Sequence, residues 1–296
     1  MKKYIYLLAF IVLNVACEDV IDVELPTEEP RLVVDALIRV DIDEPYIPVE
    51  VKLSLSSDFF NINTPTSAES VLIQYDEYED GIIINSGFSN LAEEIQGSGI
   101  YTPDPNFSSD QRIPTSILDR NLVFNLLIRH EGRLYLAVTE YVPSVPIDSL
   151  IQGDGTLFGD DETEVIVTFT DDPDRDSFYL IDFSFSEFLV TEDEFYKGQQ
   201  FSFSYFYDQL FVPNTELEIG LMGADQNFYN YMDLLIEQTT NDAGIFSTPV
   251  ATVRGNVFDI TDIDNIDISD NVGQPNVFPL GYFAIVQEYK DTLVIQ

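Results

Sequence analysis

Apolar and polar positions in this chain alternate far more often than they spiral. "RLVVDALIRV" (31–40), "IPVEVKLSLS" (47–56), "SVLIQYDEY" (70–78) and "GIIINSG" (81–87) each predict a strand. "GIYTPD" (99–104) predicts a short strand or turn, and 121–143 reads as two strands around "HEG". His130, the sole histidine, is assigned to that turn. Short strands separated by Gly, Pro, Asn and Asp suggest a sandwich. "VPSVPID" (142–148) punctuates the chain with two prolines, which places a domain boundary there. The organisation expected is mainly β, with an immunoglobulin-like sandwich over 30–146 and a second β-rich domain over 147–296.

In the second half, "EVIVTFT" (164–170), "SFYLIDFSFSEF" (177–188), "QFSFSYFYD" (200–208), "ELEIGLMGA" (216–224) and "PLGYFAIVQEY" (279–289) also read as strands. Alternation across 177–188 puts Tyr179, Ile181, Phe183 and Phe185 on one face. Phe201, Phe203, Tyr205 and Tyr207 share another, with Ser202 and Ser204 opposite. That aromatic face is a candidate surface for a ligand or partner, and it is also what the inner face of a half-buried strand looks like. One segment switches to helical spacing. In "DQNFYNYMDLLIEQTT", Phe228, Tyr231, Met232, Leu235 and Ile236 form a stripe, and Asp225 is placed to cap the first turn of an amphipathic helix over about 225–239.

The N-terminus follows another logic. Lys2 and Lys3 precede an apolar run from Tyr4 to Ala16, broken only by Asn14. The run is too short to span a bilayer, which takes about 20 apolar residues. It reads as a secretory signal over 1–16. Cys17, the only cysteine, follows directly. The arrangement resembles a bacterial lipoprotein signal, in which that cysteine is acylated and becomes the new N-terminus. It departs from the usual pattern at Asn14, where Leu is common, with Leu13 one place earlier. Residues 17–29 then read as an acidic tether.

The formal net charge is −40, from 53 acidic residues against 13 basic ones. Such a surface repels phosphate backbones, so nucleic acid is excluded as a partner class. With Cys17 lipidated no thiol remains for a disulfide, and one histidine cannot build a multi-histidine zinc site. No Gly-x-Ser-x-Gly, P-loop or His-Glu-x-x-His sequence occurs, so no catalytic residue is assigned. The acids Asp259, Asp262, Asp264, Asp267 and Asp270 are a weak calcium candidate, lacking the glycine and terminal glutamate of an EF-hand. The clusters at 160–164 and 171–176 read as solvated or strand-ending turns.

Several stretches together resemble one family. They are "CEDVIDVELPTEEPRLVVDALI", "GIY" (99–101), "DDPDRDSFYLIDF", "NFYNYMDLLIEQ", "FSTPVATVRGN" and "LGYFAIV". In order and spacing they resemble the Bacteroidota outer-membrane lipoproteins catalogued as domain of unknown function 4249. The resemblance implies a lipid anchor at Cys17, an immunoglobulin-like first domain, and company with TonB-dependent outer-membrane receptors. Glu18 and Asp19 are similar to the acids that send such lipoproteins to the cell surface. The expectation is a non-enzymatic accessory or ligand-capturing subunit of a TonB-dependent barrel. The alternatives are a structural subunit of an outer-membrane assembly or secretion machine and, third, a surface hydrolase.

Overall fold

The computed structural model describes residues 29–57, 63–159, 161–240, 253–263 and 278–296. The signal segment, Cys17, Glu18, Asp19, Asp264, Asp267 and Asp270 lie outside the described residues. The protein is mainly β, as the alternation predicts.

The first unit contains β1 (Leu32–Val40), β2 (Val51–Leu55), β3 (Thr64–Pro65), β4 (Ser70–Glu79), β5 (Ile82–Glu93), β6 (Ile100–Pro103), β7 (Leu122–His130) and β8 (Arg133–Val142). Alternate residues point inward. On β7 these are Leu122, Phe124, Leu126, Ile128 and His130; on β1 they are Leu32, Val34, Ala36, Ile38 and Val40. The hairpin turns Asp80–Gly81 and Glu131–Gly132 are two residues long and left-handed at both positions, as a tight turn between right-twisted strands requires. His130 is therefore not a turn residue. It ends β7 with 3% exposure, and its Nε2 lies 2.9 Å from Thr66 Oγ1. The expected strand over 47–56 begins only at Val51, although Ile47 and Val49 are buried.

The second unit is a sandwich. One sheet holds β9 (Ile147–Gln152), β10 (Thr163–Thr170) and β13 (Gln200–Tyr207), in the order β13–β10–β9. Facing it are β11 (Phe178–Asp182), β12 (Phe188–Glu192) and β14 (Glu216–Ala224). The stretch 177–188 is not one strand. It is the β11–β12 hairpin, and Ser184, Phe185 and Ser186 take consecutive left-handed conformations. Tyr179, Ile181 and Phe183 are fully buried as expected, but the turn throws Phe185 outward to 59% exposure.

Two elements join the units. The closing strand β16 (Leu280–Val294) pairs in parallel with β1 from Leu280 to Gln287, then antiparallel with β14 from Glu288 to Val294. Its first half also meets β8 at Tyr141 and Val142, so pairing runs round the first unit and closes on itself. The short strand β15 (Val257–Asp259) continues that closure along β8. Next to it, Asn256 donates from Nδ2 to Val138 O and Phe283 O, and accepts from Phe283 N.

The second joint is helix α1 (Gln226–Thr240). Phe228 and Met232 are buried against Leu180, Met222 and Ala224 of the second unit and Tyr282, Ala284 and Val286 of β16. This covering explains why "FYLID" and "IGLMGA" are apolar almost without alternation. Leu180 and Met222 face the helix while Tyr179, Ile181, Ile219 and Leu221 face the sandwich. Asp225 caps α1, accepting a 2.7 Å bond from Phe228 N. Asp225→Ala should lower unfolding stability by about 1 kcal/mol, and Asp225→Asn by much less. Urea titration of the three chains checks this.

At the joint, Arg39 on β1 meets Asp182 at 2.6 Å and Glu288 at 3.3 Å. Burial raises the Glu288 carboxyl above its ordinary value even beside Arg39. Gln287 accepts a bond from Ser144 N, and Ser144 Oγ donates to Leu221 O. Charged and polar partners thus hold the two units in one register.

Candidate functional site

Where the units meet, a cavity of about 520 Å³ opens between the end of β8, the turn before β11, and the start of α1. That volume suits a small molecule. Each wall arises locally. Pro143 ends β8 and turns the chain away. Asp172, Asp174 and Pro173 build the turn that carries Arg175, with Asp174 N bonded to Asp172 Oδ1. Asp225 and Gln226 mark the start of α1.

Three polar side chains define the chemistry of this cavity. Tyr141 presents a hydroxyl buried without a hydrogen-bond partner. Burial pushes its pKa up to about 12, so at neutral pH it is an uncharged donor. Arg175 is fixed by a 2.7 Å bond from NH1 to Pro143 O. Its Nε lies 3.4 Å from Asp172 Oδ2 but makes no hydrogen bond of good geometry. Ser177 is 4% exposed, its backbone N bonded to Asp193 Oδ2. Its Oγ lies beside the Tyr179 hydroxyl and lowers that phenol's pKa against the larger upward effect of burial.

Among the described residues, these three are the buried side-chain N and O atoms without a hydrogen bond of good geometry, and all three residues line this one cavity. A buried polar group left unpaired costs about 1–3 kcal/mol. Of the three, Arg175 Nε faces Asp172 and Ser177 Oγ faces the Tyr179 hydroxyl, which leaves the Tyr141 hydroxyl as the one with no such neighbour. Val123, Val138 and Phe178 supply an apolar wall beside them.

The predicted site residues fall elsewhere. Phe201, Phe203, Tyr205 and Tyr207 face into the second sandwich. Tyr205 stacks on Phe183 at 3.8 Å, Phe201 stacks on Tyr196 at 4.1 Å, and Tyr207 donates to Phe183 O. Of the five calcium-candidate acids, Asp259 is paired with Arg133 at 2.7 Å, and Asp262 sits in a left-handed turn. No group of three potential metal ligands occurs among the described residues. Sequence reasoning missed Tyr141, Arg175 and Ser177. The one legible signal was Arg175, a lone cation in "DDPDRDS". It also missed Asp171, a 2%-exposed carboxylate in that cluster that accepts from Tyr179 OH and Gly198 N.

The fold and cavity together define a two-unit, mainly β protein with a ligand-sized cleft at the joint. The family described as "Domain of unknown function (DUF4249)" matches residues 18–266, well over half of the chain. The chain belongs to that family. Comparison with curated proteins finds no match.

Proposed function

We propose that this protein is a non-enzymatic lipoprotein of the Bacteroidota outer membrane, anchored through Cys17 and facing the cell exterior. In this reading it captures a small ligand for a TonB-dependent transporter. The observation that carries ligand capture is a cavity of small-molecule size bordered by Arg175 and by Tyr141, whose buried hydroxyl has no hydrogen-bond partner in the protein. A neutral phenol and a guanidinium both donate. They favour a ligand rich in acceptor oxygens, such as a saccharide or a carboxylate-bearing peptide. The anchor and its address rest on Lys2, Lys3, the apolar run, Cys17, Glu18 and Asp19.

Thermal-shift screening of the purified chain against saccharides, short peptides and carboxylates should find a ligand that raises the melting temperature. Tyr141→Phe should weaken that ligand by about tenfold, the worth of one lost hydrogen bond. The variant should not melt earlier than the parent, because it removes a polar atom that has no hydrogen-bond partner in the protein. Failure of the whole panel to shift the melting temperature, or full affinity in the variant, would overturn ligand capture. Partner identity is tested by gentle solubilisation of the outer membrane: a barrel of the TonB-dependent class should co-purify in stoichiometric amount.

A further inference from the structure

The end of the second unit farthest from residue 29 carries an exposed apolar patch. Three segments meet there: 153–159, 183–187 and 208–215. Thr163 Oγ1 donates to Gln209 O, tying the first to the third. The rings of Phe185 and Phe211 stack at 5.6 Å, tying the second to the third. The tips expose Phe185 (59%), Leu210 (61%), Val212 (74%), Leu157 (60%) and Phe158 (92%).

Phe185 is held outward deliberately by the local backbone. Ser184, Phe185 and Ser186 have φ of 62°, 52° and 66°, and none is glycine. Left-handed conformation costs each such residue about 1–2 kcal/mol. The loop is fixed in it by Ser184 N bonding to Asp182 Oδ1, by Phe183 N bonding to Glu187 O, and by Ser184 Oγ bonding to Glu218 O. An apolar side chain that had only to avoid water would turn in, as Tyr207 and Phe183 do in the same hairpins. Clustered exposed apolar side chains of this kind mark interaction sites.

The charge around the patch selects the partner. Asp154, Asp161, Asp208, Glu216, Glu218 and Asp291 are exposed near it. Among the described residues at this end the one basic side chain is Lys290, already paired with Glu218 at 2.8 Å. A second copy of this chain would bring the same acids against these and be repelled. A membrane surface bearing anionic lipid would be repelled as well. We infer that this crown docks into an apolar pocket of another protein, rimmed by Lys and Arg. The inference stands apart from the cleft. β16 runs 15 residues from the start of β1 to this crown, roughly 50 Å at strand rise. A chain tethered ahead of residue 29 thus holds the crown away from its tether.

The test is site-specific photo-crosslinking of the full chain in its own cells, with benzoylphenylalanine at position 185 or 212 and, as control, at exposed Ile95 of the first unit. The expected result is one protein adduct shared by 185 and 212 and absent at 95. The crosslinked partner peptide should carry Lys or Arg beside apolar residues. Combining Asp208→Lys with Glu216→Lys should cut adduct yield about tenfold, since like charges at a rim suppress encounter. Raising salt on the otherwise unaltered chain should weaken the same adduct, so the outcome does not depend on one variant folding. A self-adduct, a lipid adduct alone, no adduct, or a yield indifferent to both charge reversal and salt would each overturn the inference.

Discussion

Gly281→Ala is expected to destabilise the fold severely, although it adds a single methyl group. Gly281 has φ +97°, and a Cβ built there would lie 1.8 Å from Val34 O. Val34 and Gly281 are paired across the parallel β1–β16 ladder, so the clash falls on backbone that cannot swing aside. The strand it would displace is the one both units share, followed directly by Tyr282 and Phe283, which belong to two separate cores. Left-handed strain of about 1–2 kcal/mol adds to an overpacking penalty of about 1–3 kcal/mol or more. The sum is a large fraction of a typical stability of about 5–15 kcal/mol. Gly97→Ala provides the control. It too has positive φ, +85°, but nothing lies within 4 Å of its added Cβ. That variant should lose only about 1 kcal/mol. Urea unfolding of both chains checks the pair. Equal losses would mean that β1 and β16 are not packed as described.

A second large effect is expected in alkali. The Tyr179 phenol is fully buried, and burial, with its bond to Asp171, pushes its pKa up to about 12. Burial also raises Tyr196, Tyr205, Tyr207 and Tyr282, and Glu187 raises Tyr205 further. An unfolded tyrosine ionises near pH 10. Between that pH and the raised folded value, the unfolded chain has released protons that the folded chain still holds. Stability is therefore intact below about pH 10 and is lost as pH rises toward 12. For Tyr179 alone this amounts to a few kcal/mol, on the order of 3. The other buried phenols act in the same direction, so the chain should unfold cooperatively within this window. Phenolate absorbance and far-ultraviolet dichroism should change together. Tyrosines that titrated one by one near pH 10, with the dichroism unchanged, would show that these rings are not buried as described.

Local rules carried much of the architecture. The Asp80–Gly81 and Glu131–Gly132 turns, the alternation on β1 and β7, and the Asp225 cap all depend on neighbours within a few residues. The same rules misled at 177–188. Alternation continues through Phe183 and Phe185, yet the chain reverses over Ser184, Phe185 and Ser186. A left-handed turn built from Ser, Phe and Ser carries no glycine to announce it, and it is held by long-range bonds such as Ser184 Oγ to Glu218 O. His130 was read as a turn residue because it stands beside Glu131–Gly132. Its burial follows from strand parity and from Thr66, 64 positions away.

The sequence by itself determined the strand-rich class, the amphipathic helix after Asp225, the acidic surface and the family. Those follow from periodicity, composition and order along the chain, all short-range or summed properties. Tertiary structure decided that β16 and α1 belong to both units, that Arg39 is clamped by Asp182 and Glu288, and that Tyr141, Arg175 and Ser177 share one cleft. The physical reason is distance along the chain. Arg39 and Glu288 are 249 positions apart, and no local propensity encodes such a meeting. It exists only once two cores have packed and a common strand has fixed their register.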